Sequence, residues 1–285
     1  MRRIVQNIIA QRRGQNPRSP VLRALRDTPF WLKTANAFGA LTGWARFFSR
    51  QNSVRSRRAL CGFVLSFGLL VVAVDTHAGG MEDDPLRATF LADRLEWQVT
   101  EGDPAVWDVA AYAGYDLHKL YLYSEGSAQS DETESENELV YSYAVSPFWD
   151  IQGGVALEQA GSGHKTWGEV ALQGLAPYFI DTRLRLKVSD EAVGAVFDFE
   201  YEALLTQKLI LTPRFEADAY SDDVSELGIG SGLSSVTLGL RLRYEFIREF
   251  APYVGVEYAN TFGRTKTLYD GGEDTRFVAG VRFWF

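Results

Sequence analysis

Soft and imidazole metal donors are scarce in this chain: one cysteine, Cys61, two methionines and three histidines among 285 residues. A lone cysteine cannot form an internal disulfide or a thiolate zinc site. Long apolar runs are equally rare. The longest, Ala59 to Val74 (ALCGFVLSFGLLVVAV), is broken at Asp75, short of the roughly 20 residues that carry a helix across a bilayer. It follows Arg55-Ser56-Arg57-Arg58 and precedes Thr76-His77-Ala78. A basic flank, a short apolar stretch and small residues are the order of a secretory signal cleaved after Ala78. Cleavage removes Cys61 and His77, leaving Met81, His118 and His164 as the candidates for soft or imidazole ligation. Three such donors so far apart do not make a copper or zinc site by spacing.

What the chain does have is charge, unevenly distributed. The net charge of −8 conceals thirteen basic residues against Asp27 alone in Met1–Arg58, while Gly79 onward carries sixteen basic and thirty-five acidic side chains. An acidic exported body has no use for nucleic acid. The expected organisation is a basic leader over 1–54, a signal over 55–78, a short periplasmic segment over 79–88 and one folded domain over 89–285.

That domain alternates apolar and polar residues with period two, the mark of strands with unlike faces. Twelve such stretches are expected: Thr89–Val99, Val106–Tyr115, Leu117–Glu125, Glu136–Val145, Phe148–Gln159, Thr166–Leu175, Ile180–Val188, Val193–Leu204, Lys208–Tyr220, Ser235–Phe246, Tyr253–Thr261 and Thr275–Phe285. Each is near the nine to eleven residues of a tilted transmembrane strand. In the tenth, Val236, Leu238, Leu240, Leu242 and Tyr244 oppose Thr237, Gly239, Arg241, Arg243 and Glu245. The polar face is ionic with both signs, as a lumen laced by ion pairs requires. The odd-numbered connections read as mostly long and polar. The even ones read as tight, three of them with Pro before an aromatic: SPF at 146–148, APY at 176–178 and APY at 251–253. Tyr and Trp near strand ends, among them Trp167 and Tyr253, suit girdles at the two interfaces. The fold class expected is therefore all-β: a closed antiparallel transmembrane β-barrel of about twelve strands in the outer membrane, its aromatics against lipid. The last strand, ending on Phe285, suits the C-terminal signal read by the barrel assembly machinery.

Candidate lumen charges are Glu96, Glu125, Glu169, Glu200, Glu202, Glu216 and Glu257, with Arg183, Arg185, Arg214, Arg241, Arg243 and Arg282. The acidic stretch Ser130–Glu138 reads as a solvated loop. Ser162 and His164, two residues apart in a glycine-rich loop, do not amount to a nucleophile with its base, and no enzyme is expected.

Several long blocks in order resemble the copper resistance protein B family of bacterial outer-membrane proteins: AYAGYDLHKLYLYSEG at 111–126, SPFWDIQGGV at 146–155, YEALLTQKLILTPRFEADAY at 201–220, GIGSGLSSVTLGLRLRYEFIREFAPYVGVEY at 228–258 and DTRFVAGVRFWF at 274–285. The resemblance implies a copper ion as ligand, copper binding or passage at the outer membrane, and work in concert with a periplasmic multicopper oxidase. Members carry a Met- and His-rich arm before the barrel. Here that place holds GGMEDDPLRATFL, residues 79–91, with Met81 alone. A passive structural barrel or narrow porin without metal selectivity is the alternative.

Overall fold

A computed structural model describes residues 84–99, 104–129, 133–269 and 272–285. The expected leader over 1–54, the signal over 55–78 and Met81 lie outside the described residues. The strands are β1 (Arg87–Val99), β2 (Ala105–Gly114), β3 (His118–Ala128), β4 (Thr133–Ala144), β5 (Trp149–Ala160), β6 (Gly163–Ala176), β7 (Ile180–Val188), β8 (Val193–Tyr201, resumed as Ala203–Leu204), β9 (Leu209–Tyr220), β10 (Gly232–Tyr244), β11 (Phe250–Thr261) and β12 (Glu273–Trp284). Every neighbour in sequence is an antiparallel neighbour in the sheet, and β12 pairs back onto β1, with Leu91 opposite Trp284 and Val99 opposite Phe277. The sheet is closed and has no free edge, which is the condition for strands to sit in lipid. The break in β8 at Glu202 keeps register, since Arg214 faces Glu200 and Leu211 faces Ala203. Pro213 stands in the facing strand at that level and has no N–H for the ladder.

Side chains are sorted inside out relative to a water-soluble domain. Leu120, Leu139, Ile151, Val170, Leu186, Leu238 and Phe277 are exposed on the outer wall, while Glu96, Glu138, Gln152, Glu169, Arg185 and Lys187 are buried within. Such burial of charge beneath exposed apolar residues suits lipid outside and a polar lumen inside. The outward aromatics of β12 pack on β1, with the Phe90 ring 5.2 Å from that of Phe285. Two aromatics assigned to the girdles turn inward instead. Trp167 is fully buried, and Tyr253 lies in the lumen with its hydroxyl donating to Glu96 at 3.0 Å. Tyr253 faces Gly280 across the ladder, and a Cβ there would stand 2.7 Å from the Tyr253 hydroxyl, so the ring uses the space glycine leaves. The second APY is consequently not a turn: β11 begins at Phe250, ahead of Pro252.

The connections also differ from expectation. β3 and β4 pair out to Ala128 and Thr133, and only Gly161 and Ser162 join β5 to β6. Strands that rise past the membrane carry Ser, Glu and Thr on both faces, so their ends have no apolar alternation to read. Of the odd connections only residues 221–231 and 262–272 are long. These two interlock over one end of the barrel. Val224 and Leu227 are buried against Trp167, Tyr220, Ala156 and Ala192, and a Cβ on Gly163 would meet the Glu226 carbonyl at 1.8 Å, so the segment lies directly on the start of β6. Above it, the short helix α1 (Gly263–Tyr269) contributes Thr265, whose hydroxyl accepts from the Gly230 N–H at 2.9 Å, and Arg264, which pairs with Asp223.

The Ser231 N–H, donated to Asp223 at 2.8 Å, and then Arg264 hold the Asp223 carboxyl below its ordinary value. A depressed carboxyl contributes stability fully above its unfolded value, about 4, and loses it as pH falls through the lower folded value. Protease nicking of residues 221–231 is therefore expected to rise below about pH 4 in the parent. The Asp223→Asn variant should be nicked at neutral pH as fast as the parent is in acid. Equal rates for the two at pH 7 would count against the latch.

Candidate functional site in the lumen

Inward positions on β7 are Arg183, Arg185 and Lys187, spaced two residues apart on one face, about 7 Å per step. On β4 the inward positions include Glu136 and Glu138. These strands are three apart around the ring, yet their side chains meet because β5 and β6 present Gly154, Ala156 and Ala171 between them. Arg183 pairs with Glu138 and, at 3.2 Å, with Glu169. Arg185 pairs with Glu138, with Glu136 at 3.4 Å and with Glu125 at 3.6 Å. Lys187 pairs with Glu136 and reaches Glu158 at 3.7 Å. Beside them Gln152 donates to the Tyr123 hydroxyl and to Gln173, while Arg183 lies over the Tyr123 ring at 4.1 Å.

A bulge in β1 supplies the link to the other half of the lumen. Register slips between Ala92 and Arg94 against β2, and between Ala92 and Leu95 against β12. Bulges re-aim side chains; here consecutive residues Asp93 and Arg94 both find lumen partners, Asp93 with Arg282 at 2.8 Å and Arg94 with Asp108 at 3.0 Å. Arg94 also reaches Glu125 at 3.8 Å. Arg214 on β9 binds Asp198 at 2.6 Å and Glu216 at 3.0 Å, and its other nitrogen stands 3.7 Å from Asp108 on β2. β9 and β2 are five places apart in the twelve-strand ring, so this contact spans the lumen. Arg241 clamps Glu96 and, at 2.6 Å, Glu257; Arg243 and Arg282 share Glu202. Ion pairs thus cross the lumen in three networks: one from Arg183, Arg185 and Lys187 through Glu125 and Arg94 to Arg214, one around Arg241, and one joining Arg243, Glu202, Arg282 and Asp93.

The thirteen lumen charges named from sequence all lie on inward-facing positions, and twelve of them enter these pairs; Glu200 lines a cavity beside Arg214 and Arg282. The other metal-donor candidates are not brought together. His118 opens β3 at the short-turn end, bonded to and stacked on Tyr141 with Tyr143 beside it, whereas exposed His164 is the second residue of β6 at the long-loop end. Ser162 and His164 sit on an exposed hairpin tip. Sequence reading put Glu136 and Glu138 at the start of the expected strand Glu136–Val145 but counted them with the solvated acidic stretch and not among the lumen charges; both face inward on β4. It missed Asp93, Arg94 and Asp108 as well. The alternation of Glu136, Glu138, Val140 and Ser142 with Asn137, Leu139, Tyr141 and Tyr143 carried the signal for the first two.

One oxygen from each of Glu136, Glu138 and Glu169 lies within 4.8 Å of the others. Three carboxylates offer hard oxygen donors of the kind that divalent ions accept. Glu169 Oε2 is buried and has no hydrogen-bond partner. The same acids are held by Arg183, Arg185 and Lys187, so an ion entering here must displace at least one of these cations.

Comparison with known proteins bears on the whole barrel. Residues 86–285 match the family model described as copper resistance protein B precursor (CopB). The copper resistance protein B of Escherichia coli is 38% identical over 212 residues, 72% of either chain, and a copper resistance protein B homolog of Pseudomonas syringae pv. tomato is 36% identical over 218 residues, 74% of either chain. Among solved structures, the KdgM porin aligns with 99% of its own length and 69% of this chain at a TM-score of 0.45 and 18% identity. The NanC porin does so over the same shares at 0.47 and 11%.

Proposed function

Because this chain belongs to the copper resistance protein B family, we propose that it serves copper resistance at the bacterial outer membrane by taking copper ions onto carboxylates of its lumen. The observation that carries this reading is the convergence of Glu136, Glu138 and Glu169 within a buried, charged interior. Copper here is cargo. Oxygen donors favour the cupric ion, whereas the cuprous ion prefers thioether and thiolate sulfur, and the described residues include neither methionine nor cysteine. Movement across the barrel requires the ion-pair lattice to part, so transfer is stepwise exchange of cations on carboxylates rather than diffusion through a pore. In this reading the outer wall contacts lipid, and the interlocked segments 221–231 and 262–272 face the outside. The strand ending on Phe285 engages the assembly machinery, and a periplasmic multicopper oxidase acts on the same metal. The protein is not itself an enzyme.

A second reading, a passive barrel without metal selectivity, draws on the same lattice, in which the three acids already have cationic partners. The two separate in a deletion strain carrying either the parent gene or the Glu136→Gln, Glu138→Gln, Glu169→Gln variant at equal surface level. The parent is expected to restore growth in copper and to lower periplasmic copper, with no effect in zinc. The variant should lose most of that protection, several-fold in inhibitory concentration. If the deletion has no copper phenotype, the passive reading stands. Full protection by the variant would remove these carboxylates from the path.

A further inference from the structure

We infer that the barrel holds a small inorganic anion, of chloride size, in a cavity lined by β1, β8, β9, β10, β11 and β12. The inference does not rest on the copper reading. The cavity wall includes the guanidinium groups of Arg94, Arg214, Arg241, Arg243 and Arg282 against two acids, Asp93 and Glu200, with Thr212 and Tyr253 beside them. The carboxylates that neutralise these arginines approach from elsewhere: Asp108 on Arg94, Asp198 and Glu216 on Arg214, Glu96 and Glu257 on Arg241, Glu202 on Arg243. None of those six acids lines the cavity. Arg282 alone has a carboxylate partner in the lining, Asp93 at 2.8 Å.

Donors are also in surplus. A guanidinium has five N–H groups and no acceptor. Arg243 Nε, Arg241 Nη1 and Thr212 Oγ1, all on residues of this wall, are buried without a hydrogen-bond partner. Orphan buried donors call for an occupant, and here the occupant must accept. The space open to the centre of a water-sized sphere is about 20 Å³, where about 10–15 Å³ is the least that holds one water. One small occupant fits. Water could accept these bonds, but the lining itself carries five arginines against two acids, which favours a negative occupant there. Thr212 adds a neutral O–H of the kind that completes the shell of a halide.

The test uses the whole assembled barrel in detergent, at fixed pH and ionic strength, with sodium gluconate replaced stepwise by sodium chloride or bromide. A ligand of the folded state raises the unfolding midpoint saturably, and a rise of several degrees is expected. Thr212→Val, close in shape and without the donor, should raise the half-saturating concentration about tenfold, as the loss of one hydrogen bond to a charged group would. In bromide-soaked crystals, anomalous scattering is expected between Arg243 and Arg214. Equal midpoints in chloride and gluconate, with water alone at the cavity, would overturn the inference. So would a halide shift that Thr212→Val leaves unchanged, since the halide would then bind elsewhere.

Discussion

Replacing Arg185 with methionine is expected to destabilise the assembled barrel by about 3–5 kcal/mol, the range for deleting one partner of a buried charge cluster. Arg185 is the node at which Glu125, Glu136 and Glu138 meet, and it is buried. Methionine fills much of the same volume, so packing is largely retained while three carboxylates lose a shared counter-charge. Arg183 still holds Glu138 and Lys187 still holds Glu136, which should keep the variant foldable. The measurement is urea unfolding in lipid vesicles, followed by the change in gel mobility between folded and unfolded forms. Adding Glu138→Gln to Arg185→Met should recover part of the loss, because it removes one of the stranded charges. A single variant as stable as the parent would mean that the interior is wet enough for water to replace Arg185.

The second large effect is expected at the capped end. Leu227→Asp puts a charge among Trp167, Tyr220, Ala156 and Val224, where no described cation pairs with it. A buried unpaired carboxylate costs several kcal/mol. Local segments open at far lower cost than whole domains, so the segment 221–231 should lift away and the strands below should remain. Cleavage of this segment by protease added to intact cells should rise at least tenfold, while the heat-modified gel shift of the barrel stays that of the parent. Leu227→Met, a volume-conserving change that costs about 1 kcal/mol or less, should cleave as the parent does. If Leu227→Asp resists protease, the apolar seat of the segment is not what holds it.

How far the molecule could be read from its residues follows from what each feature leaves in the sequence. Strands crossing lipid must alternate, so all twelve were legible. Features that break the period left no such trace. The bulge that turns Asp93 and Arg94 into the lumen is one irregularity in an otherwise regular strand. Glu136 and Glu138 lie in a run of acids that reads equally well as a solvated loop. Pro252 and Tyr253 copy the turn at Pro177 and Tyr178 in sequence, yet they stand inside β11, because the chain had already entered the sheet at Phe250. Trp167 matches the composition of an interface girdle, and only the position of residues 221–231 above it reveals a seat for the cap. Which carboxylates converge is a matter of shear and of small residues on the intervening strands, and no pairwise spacing along the chain encodes it.

The seam between β12 and β1 has a bearing on the order of events during biogenesis. Phe90 and Phe285 exchange two backbone hydrogen bonds, N–H to carbonyl in each direction at 3.0 Å, across nearly the whole length of the barrel sequence. Each strand from β2 to β11 pairs with its predecessor at the modest entropic cost of closing a short connection. The seam instead joins strands from opposite ends of the barrel sequence, so it can form only once β12 is in place beside β1. Until then both terminal strands are bare, and the guanidinium of Arg282 has neither Asp93 nor Glu202 to settle against. Sealing is thus a single late step that commits the last strand to the first and completes the charge lattice together, which makes the interval before it the time when the chain most needs an escort.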